Sequence, residues 1–278
     1  MKRGPLARID SRRGAAIATA VFAALAALPA SATEPAGIGA GWKALTLLNA
    51  DGALRAFSTA GAAANLPEGR EARFGRALAL LAKQPITPAQ VDEARSICAE
   101  LAAGGIDDAA QGAGYFLGRI AQHHQETPDL AEAARQYRRL IEAHPSSIWA
   151  DTARTRLAVL ELYAPAPEPA PARLAHVAGI LATARTPAAR SELHLLMADA
   201  IFYFGLPVAD SLPHLSAAEK LGLLDGPARA DVLVQIAEIS AMTGDIAQAR
   251  KFYQAYLAEF PLDQRQFMVR EKLRALEG

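Results

Sequence analysis

The sequence predicts an all-α protein, a solenoid of helical hairpins with about six pairs and a C-terminal capping helix. Three observations carry this prediction. Residues 129–145, DLAEAARQYRRLIEAHP, return 116 positions later as residues 245–261, DIAQARKFYQAYLAEFP, in the same register and without a gap. Apolar residues recur at three- and four-residue spacings along most of the chain, as one face of a helix requires, and no segment alternates as a strand does. Turn residues, each ending in a side chain suited to start a helix, separate these apolar stretches.

The elements follow in chain order. Residues 1–32 read as a signal peptide: basic Lys2, Arg3, Arg8, Arg12 and Arg13, an apolar run from about Ala15 to Leu28, then Ala30-Ser31-Ala32 as a small-residue cleavage pattern. The run is shorter than the roughly 20 apolar residues of a membrane span, so no transmembrane span is expected in the mature chain. A periplasmic or secreted location after cleavage near Ala32 follows. Arg12-Arg13 before an Ala-rich stretch is also compatible with twin-arginine export, so the route stays open.

Helices are expected near 40–49 and 51–63, the second carrying the small/aromatic pair Ala53 and Phe57 before a break at Pro67. The next are 69–83, through Phe74, Ala77, Leu78 and Leu81, and 87–103, through Val91, Ala94, Cys98 and Leu101. Cys98 is the only cysteine. It excludes an intramolecular disulfide and reads as a buried apolar side chain.

Helices at 109–125 and 129–143 form the first copy of the repeat, with Leu117, Ile120, Ala121 and His124 on one face and Leu130, Ala133, Tyr137, Leu140 and Ile141 on the other. A helix at 147–162 leads into Ala164-Pro165-Ala166-Pro167-Glu168-Pro169-Ala170-Pro171, four prolines in eight residues, which excludes helix. This segment is a loop within one stack or a hinge between an N-terminal arm (33–163) and a C-terminal arm (172–278). Helices near 172–184, 187–204, 209–222, 227–241 and 245–259 complete the pairs, and 263–277, rich in charge around Val269, Leu273 and Leu276, reads as the polar cap.

Residues 115–145 laid over 231–261 share nine identities, among them Ala121/Ala237, Ala133/Ala249, Tyr137/Tyr253 and Pro145/Pro261. The turns end in Asp129 and Asp245, each an N-cap with Glu132 or Gln248 three residues on, the pattern of a capping box. Pro145 and Pro261 stop the second helix of each copy.

These small, small, aromatic and proline positions resemble the tetratricopeptide repeat (TPR). The resemblance implies TPR-like hairpins in a right-handed superhelix that binds a peptide along its concave face, lined by the first helix of each pair. On that geometry Tyr115, Arg119, Gln122, Gln235 and Glu238 are the candidate partner-binding residues. Gly118 and Gln122 stand where some members carry a clamp for a C-terminal carboxylate, so that clamp is not expected. Residues 137–156, YRRLIEAHPSSIWADTARTR, are similar to repeats of bacterial outer-membrane assembly lipoproteins and of the cell-division coordinator that pairs with the Tol-Pal system. The chain departs from them in having no lipid-attachment cysteine and no heptad coiled coil.

Composition and motifs limit the function. Without its first 32 residues the chain holds 24 basic and 28 acidic residues, a net charge of −4, and no basic stripe, so nucleic acid is not an expected partner. No nucleophile elbow, zinc-protease helix, phosphate loop or paired-cysteine motif occurs. His123 and His124 are adjacent and point about 100° apart on a helix, a poor pair for a metal. Neither catalysis nor a cofactor is expected. The prediction is an exported scaffold or adaptor for a protein or peptide in cell-envelope assembly or maintenance. The alternative is an accessory component of a peptidoglycan- or polysaccharide-processing or export system. Phe202-Tyr203-Phe204 reads as core, or otherwise as a docking or self-association patch.

Overall fold

The computed structural model describes residues 36–60 and 67–277. The signal-peptide reading and residues 61–63 of the second expected helix lie outside them. Among the described residues the structure is all-α, an α-solenoid of thirteen α-helices with one short 3-10 turn and no strand. Its helices are α1 (Ala36–Thr46), α2 (Ala50–Ala60), α3 (Pro67–Ala82), α4 (Pro88–Ala103), α5 (Asp108–His123), α6 (Leu130–Ala143) and α7 (Ile148–Tyr163). Then come α8 (Ala170–Thr183), α9 (Pro187–Tyr203), α10 (Leu212–Lys220), α11 (Gly226–Met242), α12 (Ile246–Glu259) and α13 (Gln266–Ala275).

The chain divides into two compact units between Ile97 and Cys98, inside α4. In the first, α1, α2 and α3 close around Phe57, which is buried beside Trp42 at a ring distance of 5.1 Å. Two glycines make room for that ring. A Cβ on Gly41 of α1 would meet it at 2.6 Å and one on Gly75 of α3 at 2.4 Å, so the absence of side chains lets both helices close on one aromatic. The Trp42 indole N–H donates to Glu71 at 2.7 Å, and Arg76 on α3 pairs with Glu93 on α4.

In the second unit α5 packs on α6 and α11 on α12, the two copies of the repeat. Ala121, Ala133, Ala237 and Ala249 are buried between them, which brings the backbones close. The caps repeat as well: Asp129 Oδ1 accepts from the Glu132 amide at 2.8 Å and Asp245 Oδ1 from the Gln248 amide at 3.0 Å. Each cap is only half of the expected capping box. The Asp129 amide donates to the Ala121 carbonyl and the Asp245 amide to the Ser240 carbonyl, so the turn itself satisfies the donors that Glu132 and Gln248 were to take. Glu132 turns instead to Arg135 and Gln136. The turns differ: α5 ends at His123, whereas α11 runs the equivalent of three residues further to Met242 and closes on Gly244 at φ +87. A left-handed residue after the helix is accessible to glycine, and the first copy has Pro128 in its place.

Gly118 has a packing role that its place on α5 alone does not reveal. A Cβ there would lie 2.4 Å from Cε1 of Tyr137, a fully buried ring whose hydroxyl donates to Gln122 Oε1 at 2.9 Å. Gly114, one turn earlier, would gain an ordinary 3.5 Å contact with Leu140. The two sites should therefore respond with opposite signs. Gly118→Ala is expected to destabilise by about 1–2 kcal/mol, overpacking outweighing the gain in helix propensity, while Gly114→Ala stabilises by about 0.5–1 kcal/mol. Urea unfolding of both variants checks the contrast.

The helices flanking the proline-rich segment share one core. Ala158 and Leu162 of α7 pack with Val177 of α8 and with Leu193, Met197 and Ala200 of α9. Arg173, on α8, donates to the carbonyls of Leu162 (2.8 Å), Ala164 (2.9 Å), Ala166 (2.5 Å) and Glu168 (3.0 Å). Two other expected helices are shorter than the pattern suggests. The 209–222 stretch begins as a 3-10 turn, Val208–Ser211, with Pro213 in the first turn of α10, and α13 starts at Gln266 because Asp263 accepts from the Arg265 amide and guanidinium and holds a turn there.

Candidate functional site

The candidate face comprises the first helices of the second unit's pairs. Helix α5 packs on α7, and α7 on α9. Of the five residues predicted to meet a partner, two offer it no surface. Tyr115 is 1% exposed, its ring 5.8 Å from Tyr137 and 5.6 Å from Trp149, and Gln122 is 8% exposed and serves Tyr137. Both belong to the floor beneath the face. Their burial follows from the repeat: the aromatic of the second helix needs a polar partner for its hydroxyl on the first, and position 122 supplies it.

Glu238 holds the equivalent position in the second copy and raises the Tyr253 phenol, after the larger effect of burial, to about 12. It is part-exposed and paired with Lys272 of the capping helix. Gln235 and Arg119 are also part-exposed.

Sequence reasoning missed Arg156 on α7 and Glu192 on α9, because neither lies in the repeated stretch. The electrostatics place them with Arg119. His123 is lowered to about 4, first by the protein around it and then by Arg119, Arg156 and His124. The Tyr137 phenol is raised by burial and by Tyr115, and the same Arg119 and Arg156 oppose that rise. Glu192 is raised by burial against the pull of Arg156. Arg119 on α5, Arg156 on α7 and Glu192 on α9 thus stand on helices that pack in sequence, and both arginines act on the buried Tyr137. The Tyr115 hydroxyl and Arg119 Nε are buried and have no hydrogen-bond partner.

The remaining candidates sort simply. Among the described residues no group of three or more His, Cys, Asp or Glu side chains could hold a metal ion. His194 and His214 meet through their Nδ1 atoms at 3.1 Å, a hydrogen bond in which one ring donates. Cys98 is fully buried, and burial pushes its thiol up to about 12, consistent with an inert core side chain. The core reading of Phe202-Tyr203-Phe204 fails in part: Phe202 is 38% and Tyr203 64% exposed, and only Phe204 packs on the core. With α9 ending at Tyr203, its last turn leaves these rings outside, where Tyr203 meets Tyr163 edge-on at 5.2 Å. No described helix is long and apolar enough to cross a membrane.

Comparison with known proteins gives a family match over one hairpin. Residues 231–263, from the middle of α11 to just past α12, match the tetratricopeptide repeat family. No curated protein matches the chain. Among solved structures the chain is similar to the TPR domain of P58(IPK), at 18% identity and a TM-score of 0.30, over 87% of this chain and 64% of that one. The family match thus falls on one helical hairpin of an all-α chain, a repeat type ordinarily used for protein interaction.

Proposed function

We propose that this protein is an exported scaffold that binds an extended segment of a protein partner along the face of α5, α7, α9 and α11, in the assembly or maintenance of the cell envelope. The observation that supports the binding face is that Arg119, Arg156 and Glu192 reach solvent on three helices that pack in sequence, while Tyr115 and Tyr137 are buried against each other in the same hairpin stack. A surface whose buried layer is fixed and whose upper layer is charged suits recognition of a chain that brings its own polar groups. The export and envelope parts of the reading rest on the basic, apolar and small-residue pattern of residues 1–32.

The test is site-specific photo-crosslinking of the full chain in its own cells. A photoreactive residue at Arg119 or Gln235 is expected to capture one reproducible polypeptide, while the same probe at Arg139, exposed on second helix α6, captures none. The recovered protein should begin at Thr33. Equal capture at all three positions, or at none, would overturn the proposed face, and a recovered chain that still begins at Met1 would overturn the export.

A further inference from the structure

We infer that His194 and His214 form a two-histidine site for a borderline-soft divalent metal ion, Cu(II) above all, held between α9 and α10. The two helices pack on each other, and the rings meet Nδ1 to Nδ1 at 3.1 Å, with centroids 5.4 Å apart and planes inclined at 46°. Two nitrogens 3.1 Å apart, each bound to one ion at about 2.0–2.1 Å, subtend an angle of roughly 95–102° at the metal. That angle lies between the about 90° of tetragonal Cu(II) and the about 109° of a tetrahedral ion. The separation that the fold holds is therefore one that a chelated metal requires.

The surroundings suit ligation. Ala198, one turn after His194, and Leu215, next to His214, are buried in one core cluster, so both backbones are fixed where the rings project. Both rings are part-exposed, which admits the water that completes the shell of an ion with two protein ligands. Burial lowers both histidines and His194 lowers His214 further, so both are predominantly neutral at pH 7, the form that binds metal. Among the described residues neither ring has another hydrogen-bond partner or ion pair, and neither Nε2 is buried without a partner. Ligation then needs only a change of tautomer. One Nδ1 carries the proton of the hydrogen bond; water moves it to Nε2 of the same ring, and both Nδ1 lone pairs bind the ion with no net proton released. Imidazole suits Cu(II), Ni(II) and Zn(II), and at given ligands Cu(II) binds most tightly, whereas Mg(II) and Ca(II) take oxygen ligands. Among the described residues no third His, Cys, Asp or Glu joins the pair, so the ion exchanges with solvent.

The experiment is calorimetric titration of the untagged full mature chain with the chlorides of Cu(II), Zn(II) and Mg(II) at pH 7. One equivalent of Cu(II) is expected to bind at least about tenfold more tightly than Zn(II), and Mg(II) not at all. Electron paramagnetic resonance of the Cu(II)-loaded chain should show two imidazole nitrogens on the metal. His194→Asn and His214→Asn keep a hydrogen-bonding amide near the Nδ1 position but supply no imidazole. Each should therefore weaken Cu(II) at least about tenfold with a nearly unchanged metal-free thermal melt, and should abolish the upward shift that saturating Cu(II) gives the parent. His176→Asn, on α8, should change neither.

No Cu(II) bound at one equivalent, a spectrum with fewer than two imidazole nitrogens, or Cu(II) affinity unchanged in either Asn variant at positions 194 and 214 would each overturn the site. So would an equal loss in His176→Asn. The spectrum of the parent needs no variant, so it decides the question even where a substituted chain fails to fold.

Discussion

Asp151→Ala is expected to cost about 3–5 kcal/mol of folding free energy, among the largest single losses the protein can suffer by truncation of one side chain. Asp151 and Arg154 are each about 2% exposed and are joined at 2.7 Å, a fully buried ion pair. Neither charge is isolated. The Asp151 carboxylate also accepts from the backbone amides of Arg185 and Thr186, and Arg154 donates to Thr183 Oγ1 and the Pro145 carbonyl. Three segments, the end of one hairpin, helix α7 and the turn into α9, are thereby tied at one point. Removing the carboxylate would leave a buried guanidinium with no counterion and two amides with no acceptor.

The pH dependence of this pair has a definite sign. Burial alone would raise Asp151, but the Thr186 and Arg185 amides and the Arg154 charge outweigh it and hold the carboxyl below its ordinary 3.8. A depressed acid stabilises the fold fully above the unfolded pKa and ceases to do so as pH falls through the folded value. The contribution is therefore present at neutral pH and disappears in acid, below about pH 4. Urea unfolding at pH 7 should show the full loss in Asp151→Ala, and the gap from the parent should narrow at pH 3. Arg154→Met placed on Asp151→Ala should recover part of the stability, because it removes the orphaned charge. A loss below about 1 kcal/mol would show that the pair is balanced by its desolvation cost.

The difference between what could and could not be foreseen has a physical basis. Helix positions were legible because burial of one face imposes the 3.6-residue period on the sequence, and Ala121, Ala133, Tyr137 and their copies kept it. The start of α1 at Ala36 was hidden by Gly37, Gly39 and Gly41, which carry no apolar signal although Gly41 is there for Phe57. The roles of side chains within the face were less legible. Periodicity tells which way a residue points, not whether the next helix covers it, so Tyr115 and Gln122 read as surface and are floor. Position 122 could have been found from the copy, since Gln122 and Glu238 sit at the same register below the two tyrosines. Arg156 and Glu192 had no such signal, for they stand near the same face only once α7 packs on α5 and α9 on α7.

The same limit applies to the proline-rich segment, where Arg173→Ala is expected to destabilise by about 2–4 kcal/mol and to loosen residues 164–168 selectively. Four prolines supply carbonyls but no amide donors, and extended backbone of this kind makes no hydrogen bonds of its own. The segment is therefore rich in acceptors, and guanidinium is the side chain richest in donors. Arg173, only 9% exposed, reaches back to four carbonyls along the segment and so fixes its path at Leu162, Ala164, Ala166 and Glu168 together. Hydrogen bonds from a charged donor contribute about 1.5–3 kcal/mol each when taken singly, but four from one group are not additive, and the carbonyls nearest solvent will regain water. Arg173→Lys should recover less than half of the loss, because one ammonium cannot span the spread of acceptors that the planar fork covers. Urea unfolding gives the global cost. Proteinase K under native conditions gives the local one, with new cleavage inside 164–168 in the Ala variant and protection of that segment in the parent. A hinge would behave otherwise: cleavage would already be rapid in the parent and Arg173→Ala would leave stability unchanged.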